Sequence, residues 1–289
     1  MKAFKWLEKA KKEKFAIGAF NAASIETLKA IVGAAKKLFS PVIVEASHGE
    51  VEFFGLHELV ATVRALEKDS RVPIILNLDH AGSYISCHAA IEAGFDYIHF
   101  DGSALPLEKN IEIARMVVDE AHRRNIPVEG EMDFIGGKSA DLRQAVVGSF
   151  QQPALYTNPD RATQFVKETG VDTLAAFVGN VHGLYGGEKR IDLDLLSRIE
   201  HGLPGKFFSL HGGSGIPSDQ VKEAIQLGIV KVNVNSELRV AFRDTLKATL
   251  EEEGRNDEVA IYKIMPAAIE AVQKIVEEKI KLFGSAGRL

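Results

Sequence analysis

Four short apolar runs of this sequence end in side chains that bind metal ions or transfer protons. Asp79 and His80 close one run, Glu131 closes another, and His182 and His211 follow two more. Three neutral imidazoles around one cation, with a coordination position left open, are the arrangement of catalytic zinc. His80, His182 and His211 are therefore candidate metal ligands, and Glu131 is a candidate fourth or alternative ligand.

The residue types around these histidines allow a second interpretation. A single histidine is more often a hydrogen-bonded structural residue than a ligand, and only the convergence of three favours a metal. Asp79 stands beside a candidate ligand, where a carboxylate can act as a general acid or base, or can instead orient an imidazole. His48 is interpreted as a rim or substrate contact, and His99, inside a predicted strand, as structural.

Small and polar residues cluster after the last three predicted strands. Glycines near a helix N-terminus offer backbone N–H groups that attract phosphate. The candidate phosphate-binding residues are Gly183, Gly212, Ser214, Asn233, Asn235 and Ser236. Arg239, one turn into the following helix, is placed to meet a second anion.

The elements that must position these side chains alternate regularly. Eight apolar segments, most of them followed by an amphipathic helix, are predicted as strands at 15–21, 42–46, 73–79, 96–100, 126–131, 172–178, 206–210 and 229–235. An open doubly wound sheet also alternates, but eight units favour an α/β fold closed as a (β/α)8 barrel, a TIM barrel, in a single domain over 1–289. Chemistry in this fold lies at the carboxyl ends of the strands.

Composition narrows the classes of partner. The chain has 289 residues, a net charge of -5 and one cysteine, Cys87. A net negative charge gives no reason to expect nucleic acid or an anionic membrane as a partner. One cysteine cannot form an intrachain disulfide. No apolar run is long enough to cross a bilayer, and we expect a cytoplasmic protein. The aperiodic segment 133–158 is predicted to be a mobile active-site loop.

The chain resembles the class II, metal-dependent ketose-bisphosphate aldolases, which include the fructose- and tagatose-bisphosphate enzymes. The resemblance covers nearly the whole length. Its most specific motifs are Leu78-Asp79-His80 and the run from Leu210 to Pro217, and Val232-Asn233-Val234-Asn235-Ser236 adds to them.

The resemblance implies roles for residues and cofactors. It implies catalytic Zn²⁺ bound by His80, His182 and His211, and a monovalent cation as a further cofactor. It also implies that Asp79 transfers the proton of the hydroxyl at the carbon–carbon bond that is cleaved. It places Ser47 and Arg239 near the far phosphate of a bisphosphate substrate and Asn21 in the substrate pocket. A homodimer or higher homo-oligomer is implied as well.

Three positions depart from the family pattern. Asn77 stands where histidine is usual, and Gly186-Gly187 stands where a lysine commonly follows the tyrosine. The loop after the fifth predicted strand lacks the usual Glu-Asp pair, and Asp141 is its nearest acid. Lys189 or Arg190 is the candidate substitute for the missing lysine.

The predicted function is reversible cleavage of a ketose 1,6-bisphosphate, similar to fructose bisphosphate, into dihydroxyacetone phosphate and an aldehyde such as glyceraldehyde 3-phosphate. Asn235 occupies a position connected with sugar stereochemistry, so tagatose bisphosphate or another keto-sugar phosphate is an alternative substrate. A catalytically silent relative that binds sugar phosphate and a zinc hydrolase on the same barrel are the competing hypotheses.

Overall fold

The computed structural model of the protein describes residues 2–145, 151–252 and 257–289, and ten strands form in them. In chain order they are β1 (Ile17–Asn21), β2 (Val42–Ser47), β3 (Ile74–Ala81), β4 (Tyr97–Asp101), β5 (Val128–Glu131), β6 (Gly137–Leu142), β7 (Thr173–Ala175), β8 (His182–Tyr185), β9 (Phe207–Leu210) and β10 (Ile229–Val234). Eight of them close into a parallel barrel in the order β1, β2, β3, β4, β5, β7, β9, β10 and back to β1. The remaining two, β6 and β8, pair with each other in a separate sheet.

Helices cover the outside of this barrel. They are α1 (Lys2–Glu13), α2 (Ile25–Lys37), α3 (His48–Phe54), α4 (Leu56–Ser70), α5 (Tyr84–Ala93), α6 (Leu107–Arg123), α7 (Pro159–Thr169), α8 (Leu193–Gly202), α9 (Ser218–Gln226), α10 (Ser236–Leu250) and α11 (Ile261–Leu282). In α2 the buried face, with Leu28, Ile31 and Ala35, follows the helical period. Ser24 caps that helix by accepting from the Thr27 N–H.

One end of the barrel is closed by an apolar plug. Trp6 and Leu7 of α1 pack with Phe15 and with residues from the first halves of the strands, such as Ile43 and Ile75. Because this plug fills the end where the strands begin, the end where they finish is left to form a pocket.

The structure confirms the predicted single-domain (β/α)8 barrel and differs from the expected elements in a few places. The sixth predicted strand, 172–178, contributes only Thr173–Ala175 to the wall, because Phe177 bonds to Thr157 instead of to a neighbouring strand: its N–H donates to the Thr157 hydroxyl, and its carbonyl oxygen accepts from the Thr157 N–H. Helix α3, directly after β2, was not predicted. None of the described helices has the length and apolar character needed to cross a bilayer.

The segment 133–158, predicted to be a mobile loop, contains regular structure. It includes β6 and a short 3-10 helix, Pro153–Leu155. β6 pairs with β8 so that Gly137 lies opposite His182. Residues 146–150 of the predicted loop lie outside the described part of the chain.

Candidate active site

An irregularity at the end of β3 brings two neighbouring side chains to the site. Neighbouring residues of a strand normally point to opposite faces. His80, however, has a positive φ of 50°, and the pairing with β4 shifts between Leu78 and Ala81. This bulge breaks the alternation, and both Asp79 and His80 line the pocket at the barrel mouth.

The three histidines predicted as ligands meet at this mouth. The ring centroid of His80 lies 4.8 Å from that of His211 and 5.1 Å from that of His182, and the His182 and His211 rings are 5.9 Å apart. His80 is the penultimate residue of β3, His182 begins β8, and His211 directly follows β9. Three separate elements therefore supply one cluster of imidazoles.

Each of these rings has one nitrogen bonded to an oxygen outside the cluster. His80 Nδ1 lies 2.8 Å from Asp101 Oδ2, His182 Nδ1 lies 3.1 Å from the carbonyl oxygen of Ile135, and His211 Nε2 lies 2.7 Å from Glu129 Oε1. When the three rings are neutral, donation of an N–H to these acceptors leaves a lone pair on His80 Nε2, His182 Nε2 and His211 Nδ1. This pattern is typical of histidines that bind a metal.

Two buried atoms beside the cluster support a metal at this place. His182 Nε2 and Glu131 Oε2 are buried and have no hydrogen-bond partner among the described residues. Buried polar atoms normally have partners, and a bound cation would satisfy such acceptors. Glu131 is 1% exposed, and its Oε2 lies 3.6 Å from His80 Nδ1, the nitrogen that also faces Asp101, so its role as a fourth or alternative ligand stays a prediction.

Asp79 is held as a carboxylate in the buried wall of the pocket. Burial by itself would raise the pKa of Asp79, but the positive charge of a protonated His80, and then that of Lys231, keeps it well below its usual range. Asn21 Nδ2 donates to Asp79 Oδ2 at 3.2 Å. An ionised carboxylate beside candidate metal ligands can accept a proton from a substrate hydroxyl.

His99, interpreted from the sequence as structural, lies against the three histidines, with its ring centroid 4.7 Å from that of His80. Its Nδ1 accepts from the backbone N–H of His80 at 3.2 Å and lies 3.5 Å from Asp79 Oδ1, while its Nε2 lies 3.4 Å from Glu131 Oε2. The ring thus supports the left-handed backbone at His80. The feature of the sequence that points to this position of His99 is a polar residue in the middle of a buried strand.

Three further charges lie fully buried below the histidines. Lys231 Nζ donates to Glu129 Oε2 at 2.8 Å and lies 3.4 Å from Glu45 Oε2. Burial, followed by the charge of Asp79, raises the pKa of Glu45 to about 8. These residues were not among the candidates predicted from the sequence, although each is a charged residue inside a largely apolar strand. Because Glu129 also holds His211, this layer connects the barrel interior to the site.

The predicted phosphate-binding residues lie in the same pocket as the histidines. A side chain at Gly212 would bring its Cβ 2.3 Å from the carbonyl oxygen of Val181, so the close approach of the two loops requires glycine there. α10 begins at Ser236, which directs the N-terminus of that helix towards the pocket. The pocket is lined by Asn21, Asp79, His80, Ser139, His182, Gly183, His211, Gly212, Ser214, Asn233, Asn235 and Ser236.

Lys189, one of the two candidate substitutes for the missing lysine, does not extend into this pocket. It is 1% exposed, and its Nζ donates to the carbonyl oxygens of Val181, Gly212 and Ser214 at 2.7, 3.0 and 2.5 Å. Burial lowers the pKa of Lys189 to about 7, whereas three carbonyl acceptors favour its protonated form. The ammonium is the state that fits these contacts, and it fastens the two phosphate-side loops together.

Lys189→Met is expected to loosen these loops. Three buried carbonyl oxygens lose their donor, which we expect to lower the free energy of unfolding by roughly 3 kcal/mol and to raise KM for the substrate. Denaturant unfolding and steady-state kinetics measure the two effects. Lys222→Met, an exposed lysine of α9, is the matched control. Restoration of the activity of Lys189→Met by potassium ions would show that the three carbonyl oxygens require a cation. Unchanged stability and KM in Lys189→Met would contradict the proposed role of Lys189 in joining the loops.

Other residues singled out from the sequence lie apart from the histidines. Ser47 and Arg239 meet at Glu50, outside the lining of the pocket. His48 is exposed at the start of α3 and faces Glu52 at 3.4 Å. Asp141, the nearest acid to the position of the missing loop pair, is bonded to two arginines, Arg143 and Arg243.

A closed (β/α)8 barrel with three histidines and a buried carboxylate at its open end has the architecture of a barrel enzyme, because enzymes of this fold carry their active sites at that end. The chain belongs to the class II fructose-bisphosphate aldolase family, whose family model matches residues 1–288. It is therefore an aldolase, a carbon–carbon lyase, as the sequence resemblance predicted.

Relatives of this family match the chain along almost its whole length. The 6-phospho-5-dehydro-2-deoxy-D-gluconate aldolase of Bacillus subtilis is 39% identical over 98% of this chain and 94% of the relative. The fructose-bisphosphate aldolase of Geobacillus stearothermophilus is 36% identical over 98% and 96%. The crystal structure of the YdjI aldolase from Escherichia coli K12 has a TM-score of 0.83 at 31% identity, over 98% of this chain and 97% of that one.

Proposed function

We propose that the protein is a zinc-dependent aldolase that reversibly cleaves a phosphorylated keto-sugar into dihydroxyacetone phosphate and an aldehyde. The observation that carries the proposal is the convergence of His80, His182 and His211 with Asp79 in one pocket. Relatives named for two different phosphorylated sugars support the substrate class. Fructose and tagatose phosphates are the first substrates to test.

In the proposed reaction the protein contributes a proton acceptor. His80, His182 and His211 would hold a zinc ion, which would supply a Lewis acid to polarise the ketose oxygens. Asp79 takes the proton from the hydroxyl on the carbon that becomes the aldehyde. The carbon–carbon bond then breaks, its electron pair stays with the three-carbon fragment, and that fragment takes up a proton. In the direction of synthesis Asp79 returns the proton to the aldehyde oxygen.

The other half of the pocket suits the phosphate of the three-carbon fragment. Gly183, Gly212 and Ser214 lie on the two loops that Lys189 joins, and Ser236 begins α10. Backbone N–H groups and hydroxyls around a helix N-terminus bind a phosphate without a side-chain cation. We infer that this group of residues replaces the phosphate-site lysine that the sequence lacks.

The experiment that tests this function is a cleavage assay with purified, zinc-loaded protein on fructose and tagatose phosphates. Release of dihydroxyacetone phosphate is the expected result. Zinc in stoichiometric amount without cleavage of any ketose phosphate would favour the silent relative. Release of inorganic phosphate without an aldehyde would favour the hydrolase.

We also propose a cytoplasmic protein that forms homodimers or higher homo-oligomers. Val259, Ile261 and Tyr262, before and at the start of α11, are 87%, 65% and 78% exposed. Several large apolar residues exposed together are typical of a surface that another protein chain covers. Sedimentation of the purified protein measures the assembly, and a monomer at micromolar concentration would contradict it.

A further inference from the structure

A buried carboxylate lies where the sequence resemblance places a second phosphate. Ser47 and Arg239 both contact Glu50, which is 6% exposed. The backbone N–H and the hydroxyl of Ser47 donate to Glu50 Oε2 at 2.8 and 2.9 Å, and Arg239 Nη2 donates to Oε1 at 2.7 Å. The donors that would hold a phosphate are thus bonded to an anion of the chain itself.

This carboxylate is connected directly to the reacting groups. Asn21, which lines the substrate pocket, donates from Nδ2 to Glu50 Oε2 at 2.9 Å and to Asp79 Oδ2 at 3.2 Å. One amide group therefore joins Glu50 to the catalytic carboxylate. The far end of a substrate that reaches past Asp79 towards Asn21 comes close to Glu50.

Helix capping explains only part of this arrangement. Glu50 is the third residue of α3, and its acceptance of the Ser47 N–H is one half of a capping box. A cap does not need Asn21 or Arg239, which come from β1 and α10. The additional donors, from two other elements, indicate a role in the pocket.

We propose that Glu50 takes the place of the far phosphate, so that the substrate carries a single phosphate, on its dihydroxyacetone end, and an unphosphorylated polyol at the other end. A phosphate dianion at this place would face a carboxylate and would have to displace it from Ser47 and Arg239, and like charges brought together are costly. A substrate hydroxyl can instead donate to Glu50. The inference rests on the proposed aldolase function and replaces the second phosphate predicted from the sequence.

Matched substrate pairs test the inference on the full-length, zinc-loaded protein. We expect kcat/KM for fructose 1-phosphate, or for tagatose 1-phosphate, to exceed that for the corresponding 1,6-bisphosphate by about tenfold or more. Glu50→Gln keeps the shape and an acceptor for the Ser47 N–H but removes the charge. We expect it to shift the ratio towards the bisphosphate by about tenfold, mainly through KM.

Two comparisons keep the outcomes separate. Glu52→Gln, an exposed residue on the same helix, is expected to leave the ratio unchanged. Equal kcat/KM for both members of a pair in the wild-type protein, unaltered in Glu50→Gln, would overturn this inference while the aldolase function stands. Cleavage of neither member of any pair would overturn the aldolase function and this inference with it. The wild-type ratio needs no variant, so poor folding of Glu50→Gln does not prevent a decision.

Discussion

Asp79→Asn is expected to reduce kcat by roughly a thousandfold, within the range of general acid–base catalysis. The amide preserves the size of the side chain and can still contact Asn21, but it cannot accept the proton of the substrate hydroxyl. Since Asp79 is not among the proposed ligands, the zinc content is expected to remain that of the wild-type protein. Steady-state kinetics and metal analysis of the same preparation check the two statements.

A conservative change at an exposed acid is the control for this variant. Asp219→Asn, in the first turn of α9, removes the same charge from the surface and is expected to leave kcat unchanged. If Asp79→Asn turned over at the wild-type rate, Asp79 could not be the proton acceptor, and the alternative in which it only orients an imidazole would be favoured. If the variant lost its zinc, the effect on kcat would be attributed to the metal instead.

Removal of the metal is expected to have an effect of similar or larger size. Dialysis against a chelator should lower activity by roughly a thousandfold or more, because the ketose oxygens lose their Lewis acid. Zinc added back should restore activity. Activity that survives chelation, with metal analysis showing an empty protein, would refute the zinc mechanism.

His182→Ala separates the proposed ligand from the other histidines. His182 Nε2 is a buried acceptor with no hydrogen-bond partner in the described residues, so the alanine variant removes an atom for which we infer a role only in metal binding. We expect zinc affinity to fall by about a hundredfold or more, measured by competition with a chromogenic chelator. His48→Ala, at an exposed histidine, should leave that affinity unchanged.

The buried ionisable residues next to the site are the reason for choosing substitutions that keep the shape of the side chain. Lys231, Glu129 and Glu45 have no exposed surface, and Lys231 is bonded to Glu129 while Glu129 is bonded to His211. Loss of one partner leaves an uncompensated buried charge, which typically destabilises a protein by about 3–5 kcal/mol. Variants of this layer would therefore unfold the barrel as well as disturb the site, whereas Asp79→Asn and Glu50→Gln keep the shapes of the side chains.

The sequence alone determined the barrel, the identity of the residues at its mouth and the family. The apolar, β-branched runs, most of them followed by an amphipathic helix, specify buried parallel strands, and the closure of those strands brings their carboxyl ends together. For this reason Asp79, His80, His182 and His211 could be selected from their positions after strands. The local pattern could not show the bulge at His80 or the end of the barrel strand at Ala175, because both depend on which backbone groups pair across the sheet.

The surroundings of those residues depend on tertiary contacts that the sequence does not reveal. His99, Glu45 and Lys231 lie inside strands, and a strand position does not reveal whether its side chain points into the barrel or outwards to the helices. Contacts between distant segments are equally absent from the local sequence. Lys189 joins two loops instead of binding phosphate. Glu50 accepts hydrogen bonds from both Ser47 and Arg239, which are separated by almost two hundred residues. These partners exist because barrel closure juxtaposes β1, α3 and α10, and they are the contacts from which the single-phosphate substrate is inferred.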